Sequence, residues 1–269
     1  MKRQGNLIEK IAALDNLELA YYQAQKGKAD KKEVYEYGQW LQENLLKLQQ
    51  QILTGEVEVG NYHYFTIYDP KERLICAAPF DQRVLHHALM NVCHPFFEKV
   101  QIFDSYASRL GKGTYAALER AKFFNRRYQW FLKLDFRKYF DSLDHGVLKH
   151  QLARLFKDQR LLDILGKIID SYATTPNKGV PIGNLTSQYF ANHYLAPLDH
   201  YVKEVLRIRA YARYMDDLGL WHNHKKALLD AGLRLQHYAA NELDVMDVKK
   251  TFDSKKKLKK SYTLSQGNC

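Results

Sequence analysis

Residues 212–220 read ARYMDDLGL, so that two adjacent carboxylates, Asp216 and Asp217, lie between apolar flanks. The flanking residues 208–211 and 218–221 have the apolar and aromatic character that is typical of strands. An isolated Asp-Asp pair is most simply the solvated tip of a hairpin. Burying both carboxylates would cost on the order of several kcal/mol unless cations neutralise them. Mg²⁺ suits that role, because it binds carboxylate oxygens together with substrate phosphates.

A third carboxylate, Asp135, follows the segment WFLKL at residues 130–134. This segment is nearly continuously apolar and aromatic, which indicates a central strand that ends at Asp135. A carboxylate at the end of a buried strand faces the same edge of a sheet as the turn of a neighbouring hairpin. We therefore expect Asp135, Asp216 and Asp217 at one site. Such acidic sites hold two metal ions that bind the attacking and leaving oxygens of a phosphoryl transfer.

The order of these motifs, a strand ending in Asp135 and then Tyr-x-Asp-Asp on a hairpin, resembles the reverse transcriptases. Other segments continue the resemblance in order: RLICAAPF at 73–80, DSYASRLGKGT at 104–114 and GVPIGNLTSQYF at 179–190. Most reverse transcriptases carry Gln before the glycine of the middle motif and Ser-Pro at its end, where this chain has Ile182 and Ser187-Gln188. This variant is similar to the reverse transcriptases of diversity-generating retroelements, bacterial and phage members of the group II intron-like superfamily.

The resemblance implies an α+β fold, with the fingers and palm of a right-hand polymerase and an antiparallel palm sheet. Fingers are expected over residues 1–120, with N-terminal helices and a nucleotide-clamping hairpin, and a palm with the catalytic carboxylates over residues 121–250. The family continues into a Leu-Gly-Tyr strand and a helical thumb, whereas residues 251–269 form a basic tail. We therefore expect an absent or truncated thumb, with either a partner that grips the template and primer instead or a truncated gene.

The resemblance also implies a metal site and a sugar filter. It assigns two Mg²⁺ ions to Asp135, Asp216 and Asp217, with the backbone carbonyl of Phe136 as a further ligand. Phe140 occupies the position beneath the incoming sugar, where a rigid ring leaves no room for a 2′-hydroxyl. The alternative for Phe140 is ordinary core packing.

The nucleotide is expected to be held by residues on several motifs. Arg73 matches the fingers arginine that clamps the triphosphate, helped by Lys71, because a planar guanidinium fits phosphate oxygens. Ile182 replaces the Gln that hydrogen-bonds the nucleotide, so discrimination against an incorrect incoming base should be weaker. Lys249 or Lys250 matches the late-palm lysine that protonates pyrophosphate. The further expected nucleotide contacts are Gly183, Tyr214 and Met215.

Composition narrows the class of partner and the location. A formal charge of +11 and a pI near 9.3 indicate a polyanionic partner such as nucleic acid, although ribosomal-type and membrane-surface proteins share that charge. No apolar run approaches the roughly 18 residues that span a bilayer, and no signal peptide is visible. The three cysteines form no metal-binding or disulfide pattern. We expect a cytoplasmic protein with no membrane partner.

Hydrophobic periodicity predicts the secondary structure around these motifs. A hairpin is predicted over residues 57–68, broken at Gly60-Asn61. Pro197 should kink or split the helix at 185–206, and Asp144 should cap the helix that starts at His145. Helices are predicted over residues 6–19, 34–52, 83–92, 113–128, 145–156, 161–172, 185–206 and 225–243.

These observations predict an RNA-directed DNA polymerase that makes error-prone cDNA from a structured template RNA. Its partners would be the template RNA, the cDNA or primer and dNTPs, with a small helical accessory protein or another subunit in place of the thumb. A reverse transcriptase that serves anti-phage defence would share every catalytic residue. A non-catalytic RNA-binding scaffold derived from a reverse transcriptase is the alternative from another class.

Overall fold

The computed structural model describes residues 2–68, 72–245 and 248–254, which form two compact units. One unit contains the chain up to Lys99 together with Leu143–Phe190, and the other contains Val100–Ser142 together with the chain from Ala191 onward. Each unit is thus assembled from two separate stretches of sequence. The division into fingers, palm and tail stays a prediction.

The helices and strands alternate irregularly along the chain. In chain order the elements are α1 Ile8–Ile11, α2 Leu14–Gln25, α3 Lys32–Gln39, α4 Leu41–Thr54, β1 His63–Tyr68, β2 Glu72–Ala77, α5 Phe80–Val100, α6 Thr114–Arg127, β3 Trp130–Phe136, α7 Tyr139–Ser142, α8 His145–Leu155, α9 Gln159–Asp170, α10 Leu185–Tyr194, α11 Ala196–His200, a π-helical turn Tyr201–Val205, β4 Tyr211–Tyr214, β5 Asp217–His222, α12 Lys225–Leu243 and β6 Val248–Ser254. In the described parts of the chain, no helix has the length and apolar character needed to cross a membrane.

The first unit is mainly helical, and its N-terminus is tied to α9. The Asp158 carboxylate caps α9 and also accepts hydrogen bonds from the backbone N–H groups of Leu7 (2.9 Å) and Ile8 (3.3 Å). Asp144 caps α8 by accepting from the Val147 N–H at 2.9 Å, so the predicted cap is confirmed. The helices predicted over 6–19 and 34–52 each occur as two consecutive helices, α1 and α2, and α3 and α4.

The hairpin predicted over residues 57–68 is wrong. Strand β1 pairs forward with β2 in antiparallel register, from Tyr68 opposite Glu72 to His63 opposite Ala77. Gly60, the expected turn residue, instead donates its backbone N–H to the Gln82 side chain at 3.1 Å. The aromatic residues after Gly60 therefore find their partner in the next apolar segment of the chain. Residues 69–71, which include the predicted phosphate-binding Lys71, lie outside the described residues.

The second unit contains a four-stranded antiparallel sheet in the order β4-β5-β3-β6, which confirms the predicted antiparallel sheet. Helix α6 packs on one face, where Phe124 lies in a buried cluster with Trp221 of β5. Helix α12 packs against β3, because a Cβ added to Gly232 would lie only 2.8 Å from Leu132 Cδ2. The sheet therefore has a helix on each face, and its strand ends remain available for a site.

After residue 184, one feature agrees with the prediction and one differs from it. The helix at 185–206 is split into α10, α11 and a π-helical turn, with the break just before Pro197, which confirms the effect expected of a proline. Residues Val248–Ser254 form a strand, β6, that was not predicted. Phe252 of β6 stacks on Trp130 of β3 at a centroid distance of 5.5 Å, which shows why this basic segment joins the sheet. Residues 255–269 lie outside the described residues.

Candidate active site

Strand register brings the predicted carboxylates together at one end of the sheet. Asp135, near the end of β3, lies directly opposite Asp217, the first residue of β5. Asp216 is the neighbouring turn residue of the β4–β5 hairpin. Directly opposed residues of antiparallel strands have Cβ atoms about 4.5–5.5 Å apart, so Asp135 and Asp217 share one small area. On the other side of β3, the backbone of Lys249 in β6 is paired with Asp135.

The turn that carries Asp216 is conformationally unusual. Tyr214 pairs with Asp217, so that Met215 and Asp216 are the two central residues of the hairpin turn. Met215 has φ of 54°, while Asp216 is not among the residues with positive φ. A positive φ at the first central residue alone is typical of a type II′ turn, which normally has glycine there. Methionine at this position therefore carries backbone strain.

A fully buried ion pair lies beneath this turn. The Arg213 guanidinium and the Asp199 carboxylate of α11 are both 0% exposed, with Nη2 and Oδ2 2.7 Å apart. Asp199 also accepts hydrogen bonds from Arg213 Nε (2.8 Å) and from the Tyr211 hydroxyl (2.6 Å). Burial alone would lower the pKa of Arg213, but the adjacent Asp199 outweighs that effect and raises it. The arginine is therefore held as a cation in the core of the unit.

The remaining N–H groups of Arg213 donate hydrogen bonds to Asn192, to Gln101 and to the turn. Nη1 donates to the Asn192 side-chain oxygen (2.8 Å) and to the backbone carbonyl of Met215 (2.9 Å). Nη2 donates to Gln101 Oε1 and to the Asn192 carbonyl, both at 3.1 Å. The guanidinium thus connects Asn192, Asp199 and Gln101 directly to the acidic turn.

The segment 104–114 lies against the same hairpin. The Arg213 backbone N–H donates to the Asp104 carbonyl, and the Tyr106 N–H donates to the Arg213 carbonyl, both at 2.9 Å. The Thr114 hydroxyl lies 3.1 Å from the Tyr214 hydroxyl. Tyr214 is nevertheless 38% exposed, so it is accessible beside the carboxylates.

A lysine occupies part of the acidic site. Lys133 Nζ lies 2.6 Å from Asp217 Oδ1, and both side chains are nearly half exposed. Lys133 stands two residues before Asp135 on β3, on the same face of the sheet. Asp217 therefore has a cationic partner within the chain, and this partner lies where a metal ion would neutralise the same charge.

The residues of the site fit a hard metal ion by the chemistry of their side chains. Three carboxylates at one strand end are the oxygen donors that Mg²⁺ prefers. Within residues 2–68, 72–245 and 248–254, however, no three His, Cys, Asp or Glu side chains are already gathered in a metal-binding arrangement. In the conformation described, the three carboxylates therefore do not form a metal-binding group, and Asp217 is paired with Lys133.

Phe140 lies just after the end of β3, on the short helix α7. Its ring contacts Tyr139 edge to face at 5.9 Å, and Tyr139 in turn contacts Phe136 at 5.8 Å. Phe136 and Tyr139 are buried, and Tyr139 donates a hydrogen bond to the Ala191 carbonyl at 2.6 Å. Phe140 is half-buried, so part of its ring remains accessible.

The remaining predicted nucleotide contacts belong to the first unit, where the middle motif is docked onto β2. The Cys76 N–H donates to the Ile182 carbonyl at 2.8 Å, and Asn184 bonds the Cys76 carbonyl and the Ala78 N–H, both at 3.1 Å. Gly183 has φ of 117°, and a Cβ there would lie 2.8 Å from Ile75 Cγ2, so glycine is required. Arg73, on the same strand β2, is exposed.

Sequence reasoning missed two charged residues of this site. Lys133 and Arg213 both interrupt apolar strands, within WFLKL and within YARY. A charge inside an apolar strand segment was therefore an available signal. The partner Asp199 lies on a helix with no motif around it, so its pairing with Arg213 is visible only in the fold.

Comparison with known proteins identifies relatives of the chain. The family model described as "Reverse transcriptase (RNA-dependent DNA polymerase)" matches residues 69–259. An uncharacterized 91 kDa protein in a cob intron of Schizosaccharomyces pombe is 28% identical over 153 residues, which cover 54% of this chain and 18% of that protein. Protein YkfC of Escherichia coli is 25% identical over 177 residues, which cover 59% of this chain and 46% of that protein. The chain thus spans less than half the length of these curated relatives.

Solved structures share the fold. Apo telomerase from Candida tropicalis, truncated from its C-terminal domain, matches with a TM-score of 0.57 at 13% identity, over 78% of this chain and 55% of that chain. Telomerase from Candida albicans in complex with a fragment of telomeric RNA matches with a TM-score of 0.57 at 12% identity, over 75% of this chain and 44% of that chain. At these identities the likeness concerns the fold alone, and it confirms the mixed helix-and-sheet class.

Proposed function

Because the chain belongs to the reverse transcriptase family, we propose that it is an RNA-directed DNA polymerase whose active site is the acidic end of the four-stranded sheet. The observation that carries this proposal is the register of β3 and β5, which pairs Asp135 with Asp217 beside the turn residue Asp216. Three carboxylates at one strand end have a strong electrostatic requirement for cations. A polymerase that uses two metal ions meets that requirement.

In the proposed reaction the 3′-oxygen of a primer attacks the α-phosphate of a dNTP, and the bond to pyrophosphate breaks. Asp135, Asp216 and Asp217 would hold two Mg²⁺ ions, with the backbone carbonyl of Phe136 as an additional ligand. When bound, these ions supply charge neutralisation at the attacking and leaving oxygens. Lys249, whose backbone is paired with Asp135, is our candidate for the proton donor to pyrophosphate.

The nucleotide is proposed to be selected by its phosphates, sugar and base. Arg73 and Lys71 would bind the triphosphate, since cationic donors match phosphate oxygens. The accessible part of the Phe140 ring would exclude a ribose 2′-hydroxyl. Ile182 cannot donate a hydrogen bond to the nucleotide, so we propose error-prone copying of the diversity-generating type. Gly183, Tyr214 and Met215 complete the proposed nucleotide contacts.

The proposed partners follow from the charge of the chain. A net charge of +11 supports binding of a template RNA and of the cDNA or primer. As a separate part of the proposal, a small helical accessory protein or another subunit helps to hold the duplex. Cytoplasmic location is part of the same proposal.

The decisive experiment is primer extension on an RNA template with dNTPs and Mg²⁺. Asp135→Asn and Asp216→Asn are expected to abolish synthesis while the protein stays folded, because each removes one charged ligand. The matched control is Asp141→Asn, the same chemical change on a neighbouring carboxylate outside the proposed set. Extension at the parental level by either site variant would refute the proposal.

A second candidate function is RNA binding without catalysis. The ion pair between Lys133 and Asp217 favours it, because that pair satisfies one carboxylate without a metal ion. If the protein only binds RNA, the parental protein and the Asp135→Asn variant would bind the template RNA with the same affinity. The parental protein would also show no extension on any primer, which separates the two candidates.

A further inference from the structure

The buried ion pair of Arg213 and Asp199 has a high cost in desolvation free energy. Placing two charges where neither has any exposure is costly, and a buried ion pair is often no more stable than apolar residues of similar volume. Stability alone therefore does not explain an arginine in the middle of the short strand β4. Its position two residues before Met215 and three before Asp216 points to the adjacent turn instead.

The contact that matters is between Arg213 Nη1 and the backbone carbonyl of Met215, at 2.9 Å. This carbonyl belongs to the peptide that joins Met215 to Asp216, so the hydrogen bond fixes the orientation of that peptide. Met215 adopts φ of 54° in the position where a type II′ turn normally has glycine. A non-glycine residue persists in this conformation only when its surroundings hold it there.

The guanidinium itself cannot shift easily. Its other contacts come from Asp199, Asn192 and Gln101, at distances between 2.7 and 3.1 Å. A planar group with a fixed fork of donors transmits that anchoring to the turn carbonyl, whereas a lysine ammonium would not span the same set. The turn is therefore connected to the buried core of the second unit through one side chain.

We propose that Arg213 is a positioning residue, which holds Met215 in the left-handed conformation and so sets the carboxylates of Asp216 and Asp217 for metal binding. This inference rests on the proposed function, because it assigns Arg213 a role toward the proposed metal site. Arg213 itself contacts neither metal nor nucleotide in this role. Its effect is transmitted through the peptide between Met215 and Asp216.

The test measures metal affinity without substrate or activity. Mn²⁺ is titrated into the nucleic-acid-free protein, and the loss of the free Mn²⁺ signal is followed by electron paramagnetic resonance. Arg213→Lys is expected to weaken Mn²⁺ binding about tenfold or more, which is the usual effect of removing a group that orients metal ligands. The matched control is Tyr211→Phe, which removes one hydrogen bond from Asp199 in the same buried cluster but none from the turn. It should leave Mn²⁺ affinity unchanged.

A rescue experiment separates positioning from general destabilisation. Glycine adopts positive φ without strain, so Met215→Gly in the Arg213→Lys background should restore most of the lost Mn²⁺ affinity. A merely structural role of Arg213 would not be rescued by that change. Mn²⁺ affinity that Arg213→Lys leaves unchanged, or that Met215→Gly fails to restore, would overturn the inference.

Two further arms cover the remaining outcomes. If Arg213→Lys does not fold, Asp199→Asn provides the test, because it removes the charge that anchors the guanidinium and so weakens the hold of Arg213 on the Met215 carbonyl. Parental Mn²⁺ affinity in that variant would overturn the inference. If the parental protein binds no Mn²⁺ that Asp135→Asn removes, the proposed metal site is refuted. In that case, the urea midpoints of the single and double variants still test the contact with the turn. Non-additive midpoint shifts for Arg213→Lys and Met215→Gly support the contact, and additive shifts overturn it.

Discussion

Lys133 and Asp217 form an ion pair across neighbouring strands, with Nζ 2.6 Å from Oδ1 and the carboxylate of Asp135 two residues further along β3. The pair places a cation of the chain itself at the edge of a site that is otherwise acidic. A lysine at this point lowers the electrostatic repulsion among the carboxylates when no metal is bound. It also competes with a metal ion for one oxygen donor.

We therefore predict that Lys133→Met lowers the Mn²⁺ concentration needed for half-saturation. The pair is nearly half exposed, so its strength is limited to about 0.2–1 kcal/mol, which corresponds to a change of no more than about fivefold. Lys122→Met is the control, since Lys122 pairs with Glu119 on the surface of α6 at 2.7 Å. A weaker affinity for Mn²⁺ in Lys133→Met would show that the lysine supports the metal site.

Phe140→Ala is predicted to admit ribonucleotides. Removal of the half-buried ring would open space for the 2′-hydroxyl, and discrimination against one added hydroxyl is worth up to about 100-fold. The measurement is the ratio of rNTP to dNTP incorporation by the variant and the parent. Phe123→Ala, which removes an exposed ring from α6, is the control. An unchanged ratio would assign Phe140 to packing against Tyr139.

Ile182→Gln is predicted to raise the accuracy of copying. An amide would restore one neutral hydrogen bond to the nucleotide, worth about 1–1.4 kcal/mol, so the error rate should fall about fivefold to tenfold. Sequencing of cDNA made on one template compares the variant with the parent. Ile182→Leu controls for side-chain size, because it adds no donor and should keep the parental error spectrum. The same spectrum in Ile182→Gln would remove the physical support for error-prone copying.

The stability of the first unit is predicted to fall in mild acid because of His86. This side chain is 1% exposed, and neither ring nitrogen has a hydrogen-bond partner among the described residues. Burial, aided by the neighbouring His87, lowers the pKa of His86 from 6.5 to about 3. Between about pH 6.5 and pH 3, His86 is therefore protonated in the unfolded chain and neutral in the folded chain. Its contribution to the free energy of unfolding is complete above pH 6.5 and is lost as the pH falls from 6.5 toward 3.

At pH 5 this proton should cost the folded state about 2 kcal/mol, which follows from linkage between the two pKa values. Urea unfolding at pH 7 and pH 5 measures the difference, and His86→Leu should reduce it by about that amount. His224→Gln, at an exposed position, is the control. An equal loss of stability between the two pH values in parent and His86→Leu would contradict the prediction.

Local sequence pattern was sufficient where the residues of one helix or strand determine its extent by themselves. The bounds of α12 agree with the predicted helix over residues 225–243, because the apolar stripe and the segment ends lie within one stretch. The same holds for β3, whose continuous apolar run ends near Asp135. The grouping of the three aspartates was also predictable, since strand ends of one sheet meet at an edge.

Pattern was insufficient where the identity of the partner segment decides the structure. The aromatic residues of β1 were assigned to a hairpin before Tyr68, but their partner strand β2 follows it. Strand β6 was missed because its lysines suggest solvent, whereas the pairing with β3 and the stacking of Phe252 on Trp130 decide its state. Arg213 and Asp199 belong to the same group, since only the fold brings them together.

The central position of β3 has a consequence for the order of events during synthesis. Both of its neighbours, β5 and β6, lie much later in the chain, and Trp130 is paired with Ser254. Contacts between such distant segments form slowly, and a chain emerging from the ribosome meets its N-terminal parts first. During synthesis, β3 therefore has no partner strand until β5 has been made, and its second edge stays unpaired until β6 has been made. A chain that ends before Asp217 lacks the residue that lies opposite Asp135, and its strand β3 would leave backbone N–H and C=O groups unpaired at both edges, where another chain could add.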